Sequence, residues 1–253
     1  SKYTNFGLQK FRLDFNGQRE LRLTEASKFT FKMKRYGDLL MDTYLVLNLP
    51  DIWSPIWPAN SDPDSPYYTN GQYSPYDFKW IENLGAQLIE EIEIIGGSQL
   101  IQKYSGQYLH AMVSRDFTKE KRELFDAMTG NVPELNNPGN NPYRTFTSPY
   151  KTNTYPSAKY TTNASGAEPS IRGRQLYIPL NTWFTLDSRC AFPLVSLQYN
   201  ELEITVTLRS IRELFKVRDV FDNGNNFPYV QPDFNRSEFQ LYRFLQTPPS
   251  III

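Results

Sequence analysis

The stretch from Ala86 to Ile101, AQLIEEIEIIGGSQLI, constrains the chain more than any other. In Ile92-Glu93-Ile94 apolar and charged side chains alternate, the period of a strand with one wet face. Gly96-Gly97 supplies two residues free to take positive φ, as the central positions of a tight hairpin require. We therefore expect two strands meeting at that pair, with the second resuming at Ser98. Glu90, Glu91 and Glu93 are the densest carboxylates in the chain. A glycosidase pair must face each other across a cleft at roughly 5–9 Å. Two carboxylates two residues apart on any wet strand are already about 7 Å apart, so the spacing carries no catalytic signal. The solvated face of a sheet is the simpler reading.

Similar alternation recurs along the chain. Phe11, Leu13 and Phe15 alternate with Arg12 and Asp14 before Asn16-Gly17, which reads as a strand entering a turn, and Leu21 and Leu23 continue the pattern. In SKFTFKMK, Phe29, Phe31 and Met33 point inward while Lys28, Lys32 and Lys34 point outward as a solvated face that discourages stray edge pairing. Leu39 to Leu49 reads as one long strand with Leu45, Leu47 and Leu49 on one face. Gln175 to Pro179 gives a short strand, and Leu197 to Ser210 a strong one, with Leu202, Ile204, Val206 and Leu208 alternating with Glu203, Thr205 and Thr207. Trp183 and Phe184 are expected in the core. Ile211 to Val217 is ambiguous.

The period changes between Tyr104 and Thr129. Thr118 is placed to cap a helix that has Glu120 in its first turn, Leu124, Phe125 and Met128 at helical spacing, and Gly130 as its stop. A second helix is expected from about Ser105 to Val113, with Tyr108, Leu109 and Met112 on one face. It carries His110, the only histidine, which has no companion ligand nearby and makes a poor metal site.

Two long segments break the pattern. Pro50–Tyr76 and Asn131–Gly173 each hold six prolines among Ser, Asn, Thr and Tyr, so neither is a central strand. Insertions of this length are functional or mobile. Their aromatics, Trp53, Trp57, Tyr67 and Tyr68 in the first and Tyr143, Tyr150 and Tyr155 in the second, are candidate assembly or outer-surface residues. Asn163 and Asn235 open N-x-S sequons and are candidate glycosylation positions.

Composition limits function. Lys+Arg and Asp+Glu are both 27, so the basic excess typical of a phosphate-gripping protein is missing and direct nucleic-acid binding is not expected. Cys190 is the only cysteine, which rules out an intrachain disulfide and suits assembly in a reducing compartment. It is read as a small buried hydrophobe. No apolar run approaches the roughly 20 residues of a membrane helix. SKYTN at the start lacks the apolar core of a secretion signal, and the missing methionine suggests a trimmed or partial chain. No phosphate-binding glycine loop, zinc-spaced cluster or nucleophilic triad is present, so we expect no enzyme activity, cofactor or metal.

These runs define an all-β chain: an eight-stranded antiparallel jelly-roll sandwich with a short helical insertion and two long loops. Such folds serve as capsid proteins, lectins and cupins, so pattern alone leaves function open. Further residues carry a resemblance. Thr4-Asn5-Phe6, Phe15-Asn16-Gly17, Arg35-Tyr36-Gly37-Asp38-Leu39-Leu40, the Leu49-Pro50 strand end, Trp80 to Gly97 with Gln107-Tyr108-Leu109, Tyr177-Ile178-Pro179-Leu180, Trp183-Phe184 and Phe192-Pro193-Leu194 occur in an order similar to the N-terminal jelly roll of the major capsid proteins of nucleocytoplasmic large DNA viruses, a double jelly-roll family. The resemblance implies a homotrimer forming a pseudo-hexagonal capsomer. Capsomers would tile an icosahedral shell beside minor capsid proteins, often over an internal membrane. It places the protein in the virion, assembled in the host cytoplasm. On this view residues 1–217 are the N-terminal jelly roll and 218–253 a connector toward a second one, with Ile251-Ile252-Ile253 reading as the start of a further strand. The rival reading is a carbohydrate-binding β-sandwich using Trp53, Trp57 and Tyr68 as sugar platforms.

Overall fold

The computed structural model describes residues 6–17, 20–54, 56–57, 64, 74–75, 77–138, 169–197, 200–222 and 224–246. Among the described residues, eight strands of three residues or more form the framework: β2 Ser27–Lys32, β4 Tyr44–Leu49, β7 Phe78–Trp80, β8 Ile89–Gly96, β9 Gln99–Tyr104, β10 Arg174–Pro179, β12 Leu202–Leu208 and β13 Phe215–Arg218. Two-residue pieces complete the sheets: β1 Asn16–Gly17, β3 Leu39–Leu40, β5 Ile56–Trp57, β6 Ser74–Pro75, β11 Phe192–Pro193 and β14 Tyr229–Val230. Every pairing among them is antiparallel.

The largest sheet has the order β1-β2-β12-β8-β9. β12 lies at its centre, with Ile204 opposite Phe31 on one side and Ile94 on the other, and Val206 opposite Phe29 and Ile92. Because side chains alternate, this register sends Phe29, Ile92, Ile94, Leu202, Ile204 and Val206 to one face, where all six are buried. Smaller units complete the sandwich: β10 with β4, β11 with β3, and β14-β13-β7. An Ile52–Ile171 bridge extends the β10–β4 pair. A hydrogen bond of 2.5 Å from the Tyr104 hydroxyl, at the end of β9, to the Leu180 carbonyl just past β10 ties two of these sheets together. Burial holds that hydroxyl well above the ordinary tyrosine pKa, so it stays a donor.

The hairpin is present, with two corrections. Ala86 to Leu88 is not strand: Leu84–Leu88 is a short helix, α1, and the strand begins at Ile89. Leu84, Gly85, Ala86 and Leu88 are all buried, so no wet face existed to set a period. Docking decided it. Asn83, at φ 53°, accepts from the amides of Ala86 and Gln87 and donates its own to Asn131 Oδ1, while Gly85 lies flat on Thr129. The turn is also one residue later than expected. Gly97 and Ser98 take the positive φ values, 55° and 68°, and Gly96 pairs with Gln99 as the last rung.

Residues 11–15 are the clearest departure, since only Asn16–Gly17 joins β2. Arg12 bonds to Asp14 along its own chain, Phe11 stacks on Tyr36 at 4.5 Å, and Phe15 meets Phe29 edge-on at 4.9 Å. The alternation has no ladder. Leu39–Leu49 divides into β3 and β4, with Leu45 and Leu47 half-buried and Leu49 buried on the inner side. The Pro50–Tyr76 loop contains the small β5–β6 pair. The residues after 218 also contribute to the core: Phe244 lies 5.5 Å from Phe78, and Phe239 is buried.

The helical excursion forms as α2 Gly106–Asp116 and α3 Lys119–Thr129, followed by a short α4, Pro133–Asn136. Ser105 and Thr118 cap the first two by accepting from the amides of Tyr108 and Lys121, and Gly130 closes α3 at φ 81°. Leu109, Met112, Val113 and Phe125 are buried, whereas Tyr108 faces outward and Leu124 is 66% exposed. Trp183 is half-buried beside the fully buried Phe184. Gly106 lies against the carbonyls of Ala86 and Ile89, closer than any Cβ could come. Gly106→Ala must therefore move α2 off the β8 corner. We expect a loss of about 1–3 kcal/mol in chemical denaturation, the usual cost of overpacking.

Candidate assembly surfaces

The outer face of the five-stranded sheet is laced with charge. The register that buries the isoleucines brings the opposite faces of β9, β8, β12 and β2 into rows. Lys103 reaches Glu91 at 2.7 Å and Glu93 at 3.5 Å. Lys28 reaches Glu93 at 3.2 Å, and Lys32 reaches Glu201 at 2.8 Å and Glu203 at 3.4 Å. Thr30 and Thr205 hydroxyls bridge the middle at 3.1 Å. The Lys28 ammonium, with help from Lys103, holds the Glu93 carboxyl below its usual range. Glu91 and Glu93 are thus paired with lysines. The lysine ends of these pairs are well exposed while the Glu93 side chain is 17% exposed beneath them, so Glu93→Gln should cost about 1 kcal/mol, with the difference shrinking in high salt. Thermal melts at two ionic strengths test this.

The outer face of β4–β10 is different. Gln175 stands opposite Asn48, Tyr177 opposite Val46 and Pro179 opposite Tyr44. Gln175 donates to Asn48 Oδ1 at 3.0 Å and accepts from the Tyr177 hydroxyl at 2.5 Å. Tyr44, Val46 and Tyr177 are exposed, and no charged side chain stands among these outward positions.

The sequence-nominated residues do not gather at one point. Trp53 is half-buried, with its backbone amide donating to the Phe244 carbonyl at 2.9 Å. Its indole nitrogen is buried, which suits packing better than a sugar platform. Trp57 lies on β5, but its side chain is outside the described residues, as are Tyr67, Tyr68, Tyr143, Tyr150, Tyr155 and Asn163. Asn235 is exposed in a turn, with its side-chain amide donating to Asp233 Oδ1 at 3.0 Å. Cys190 is exposed, against the expectation of burial, because it ends a short 3-10 turn closed by Asp187. His110 is half-buried on α2. Among the described residues no three His, Cys, Asp or Glu side chains stand together as a metal site, and no helix is long and apolar enough to cross a membrane.

Asp77 gave no signal in sequence because its partners lie far along the chain. It is buried at the start of β7, with the Arg218 guanidinium at 3.8 Å and the Tyr229 hydroxyl at 3.5 Å. Desolvation outweighs both and raises its pKa to about 7. A raised carboxyl pKa means the folded protein holds a proton that the unfolded chain has lost. The cost of burying the charge is absent below about pH 4 and is felt in full above about 7. Stability from this group therefore falls as pH rises through that window. Asp77→Asn should flatten the slope of melting temperature between pH 5 and 8 and raise stability at pH 8.

The antiparallel sheets form a jelly-roll sandwich with a lysine–glutamate outer face on one sheet and an uncharged outer face on β4–β10. The family model described as the major capsid protein N-terminus matches residues 1–241, and the chain belongs to that family. It is 26% identical over 249 residues to the major capsid protein of Phaeocystis pouchetii virus, an alignment covering 97% of this chain and 43% of that one. It is 28% identical over 222 residues to the major capsid protein of Chrysochromulina ericina virus, covering 84% and 36%. The chain thus spans less than half the length of these relatives. Among solved structures, the Faustovirus major capsid protein superposes with a TM-score of 0.53 at 14% identity, over 86% of this chain and 45% of that one, a likeness of fold.

Proposed function

We propose that this chain is a structural wall unit of a virus particle: the N-terminal jelly roll of a major capsid protein, without enzymatic activity. The observation that carries the reading is the family match over residues 1–241. Three copies of a longer chain, in which residues 218–253 lead as a connector to a second jelly roll, form a pseudo-hexagonal capsomer. Capsomers tile an icosahedral shell in the virion, assembled in the host cytoplasm. Their contacts are with one another, with minor capsid proteins and, indirectly, with an internal membrane. The genome is not a direct partner, which suits equal numbers of acidic and basic residues.

Charge supports the role. Many copies of one chain must lie side by side, so like-charged contacts would repel. On the main sheet the charge is cancelled internally by lysine–glutamate pairs. We assign the two proline-rich loops, with Trp53, Trp57, Tyr67, Tyr68, Tyr143, Tyr150 and Tyr155, to inter-subunit contacts and the outer surface, and Asn163 and Asn235 to candidate glycan attachment. Expression of the full-length protein, followed by light scattering and electron microscopy, should give trimers with a hexagonal outline. A stable monomer at micromolar concentration would contradict the reading. Deleting either loop should abolish shells.

A further inference from the structure

The stretch after β13 is rich in Asn, Asp and Pro, the composition of a free connector. It is nevertheless packed on the sandwich. Val220 and Phe239 are almost completely buried, and Phe244 is fully buried. Tyr229–Val230 turns back to pair with Val217 and Arg218 of β13, and the Asp219 amide donates to the Pro228 carbonyl at 2.9 Å to close that hairpin. Arg236 then folds back onto Asp219, donating to its two carboxylate oxygens at 2.8 and 3.4 Å, and onto Glu238 at 2.7 Å. The Asp219 and Glu238 side chains are 11% and 16% exposed, so this forked pair is screened little by water. The same guanidinium lies 4.3 Å from the centre of the Phe239 ring.

The far end of the stretch docks on a second sheet. Phe244 lies 5.5 Å from Phe78 on β7 and 6.5 Å from Phe215 on β13. Its carbonyl accepts from the Trp53 amide at 2.9 Å, one residue beyond the Ile52–Ile171 bridge that extends β10–β4. The stretch therefore begins on the β14-β13-β7 sheet and ends against the extension of β4, spanning the two. We propose that residues 219–245, described except at 223, are a strap that closes the first jelly roll and belongs to its folding unit, so that the joint to the second jelly roll lies beyond residue 245. What the strap leads to rests on the capsid reading above, while its seating stands on these contacts alone. Domains joined by a free linker move relative to one another by default. A seated strap instead hands the chain over at a fixed place on the first sandwich, and a subunit of a shell gains a stiff root for its second half.

Hydrogen exchange on the full-length protein, read by mass spectrometry, tests the strap. Peptides covering residues 224–245 and the Trp53 amide should be protected as β13 is, exchanging about a hundred-fold or more slower than an unstructured chain. Arg236→Leu leaves the Asp219 carboxylate without its cation. It should speed exchange in the strap and at Trp53 about ten-fold or more, while β2, β8 and β12 keep their protection. If that variant does not fold, Arg236→Lys, which keeps the charge and loses the fork, should give the same pattern at smaller amplitude. Strap peptides that exchange as an unstructured chain while β13 stays protected overturn the proposal, as does an Arg236→Leu opening that never reaches Trp53. Trimers that form normally in either case leave the capsid reading standing. A protected strap in a protein that stays monomeric supports the strap and removes the capsid reading.

Discussion

Everything in this sandwich depends on the register of β12 between β2 and β8. One residue of slip on either side would move Ile204 and Val206 to water and bring Glu203 and Thr205 into the core. The register is therefore fixed twice. Burial of Phe29, Ile92, Ile94, Ile204 and Val206 fixes it from within, at about 1.5–3 kcal/mol for each large side chain. The lysine–glutamate rows confirm it from outside, weakly in energy but specifically in pairing, since like charges opposite one another would oppose it.

That same register accounts for the pairing of Glu91 and Glu93 with lysines. Glu91 and Glu93 both reach Lys103 on β9 and Glu93 also reaches Lys28 on β2, so their charge is offset on the sheet face, while Glu90 is exposed. The uncharged β4–β10 face reaches a similar end by other means, with amide and hydroxyl bonds linking Asn48, Gln175 and Tyr177. On the proposed capsid reading, faces of this kind would let many identical copies lie side by side without repulsion.

Much of this was legible in the sequence wherever one face is wet and the other dry. β2, β8 and β12 follow from alternation, and α2 and α3 follow from caps, spacing and a stop glycine. Legibility failed where burial is complete or absent. Leu84–Leu88 has no wet face, so its helix came from Asn83, Thr129 and Asn131, a tertiary decision. Residues 11–15 have the right alternation but no paired edge along them. Phe239 and Phe244 follow a stretch rich in Asn and Pro, and no local signal revealed that Phe239 is buried or that Phe244 packs beside Phe78 and Phe215. Asp77 lay hidden because Arg218 and Tyr229 are distant in sequence. The assembly residues nominated from the loops fall mostly outside the described residues, and only Trp53 and Asn235 have side-chain surroundings to report.

The single hydroxyl bond from Tyr104 to the carbonyl of Leu180 has a mechanical meaning. Two sheets packed through interdigitating apolar side chains already have a registry, because the core is close-packed. A directional bond buried between them resists shear, and burial keeps water from replacing it. Under load such a sandwich would bend more nearly as one plate. The tyrosine would then set stiffness more than stability.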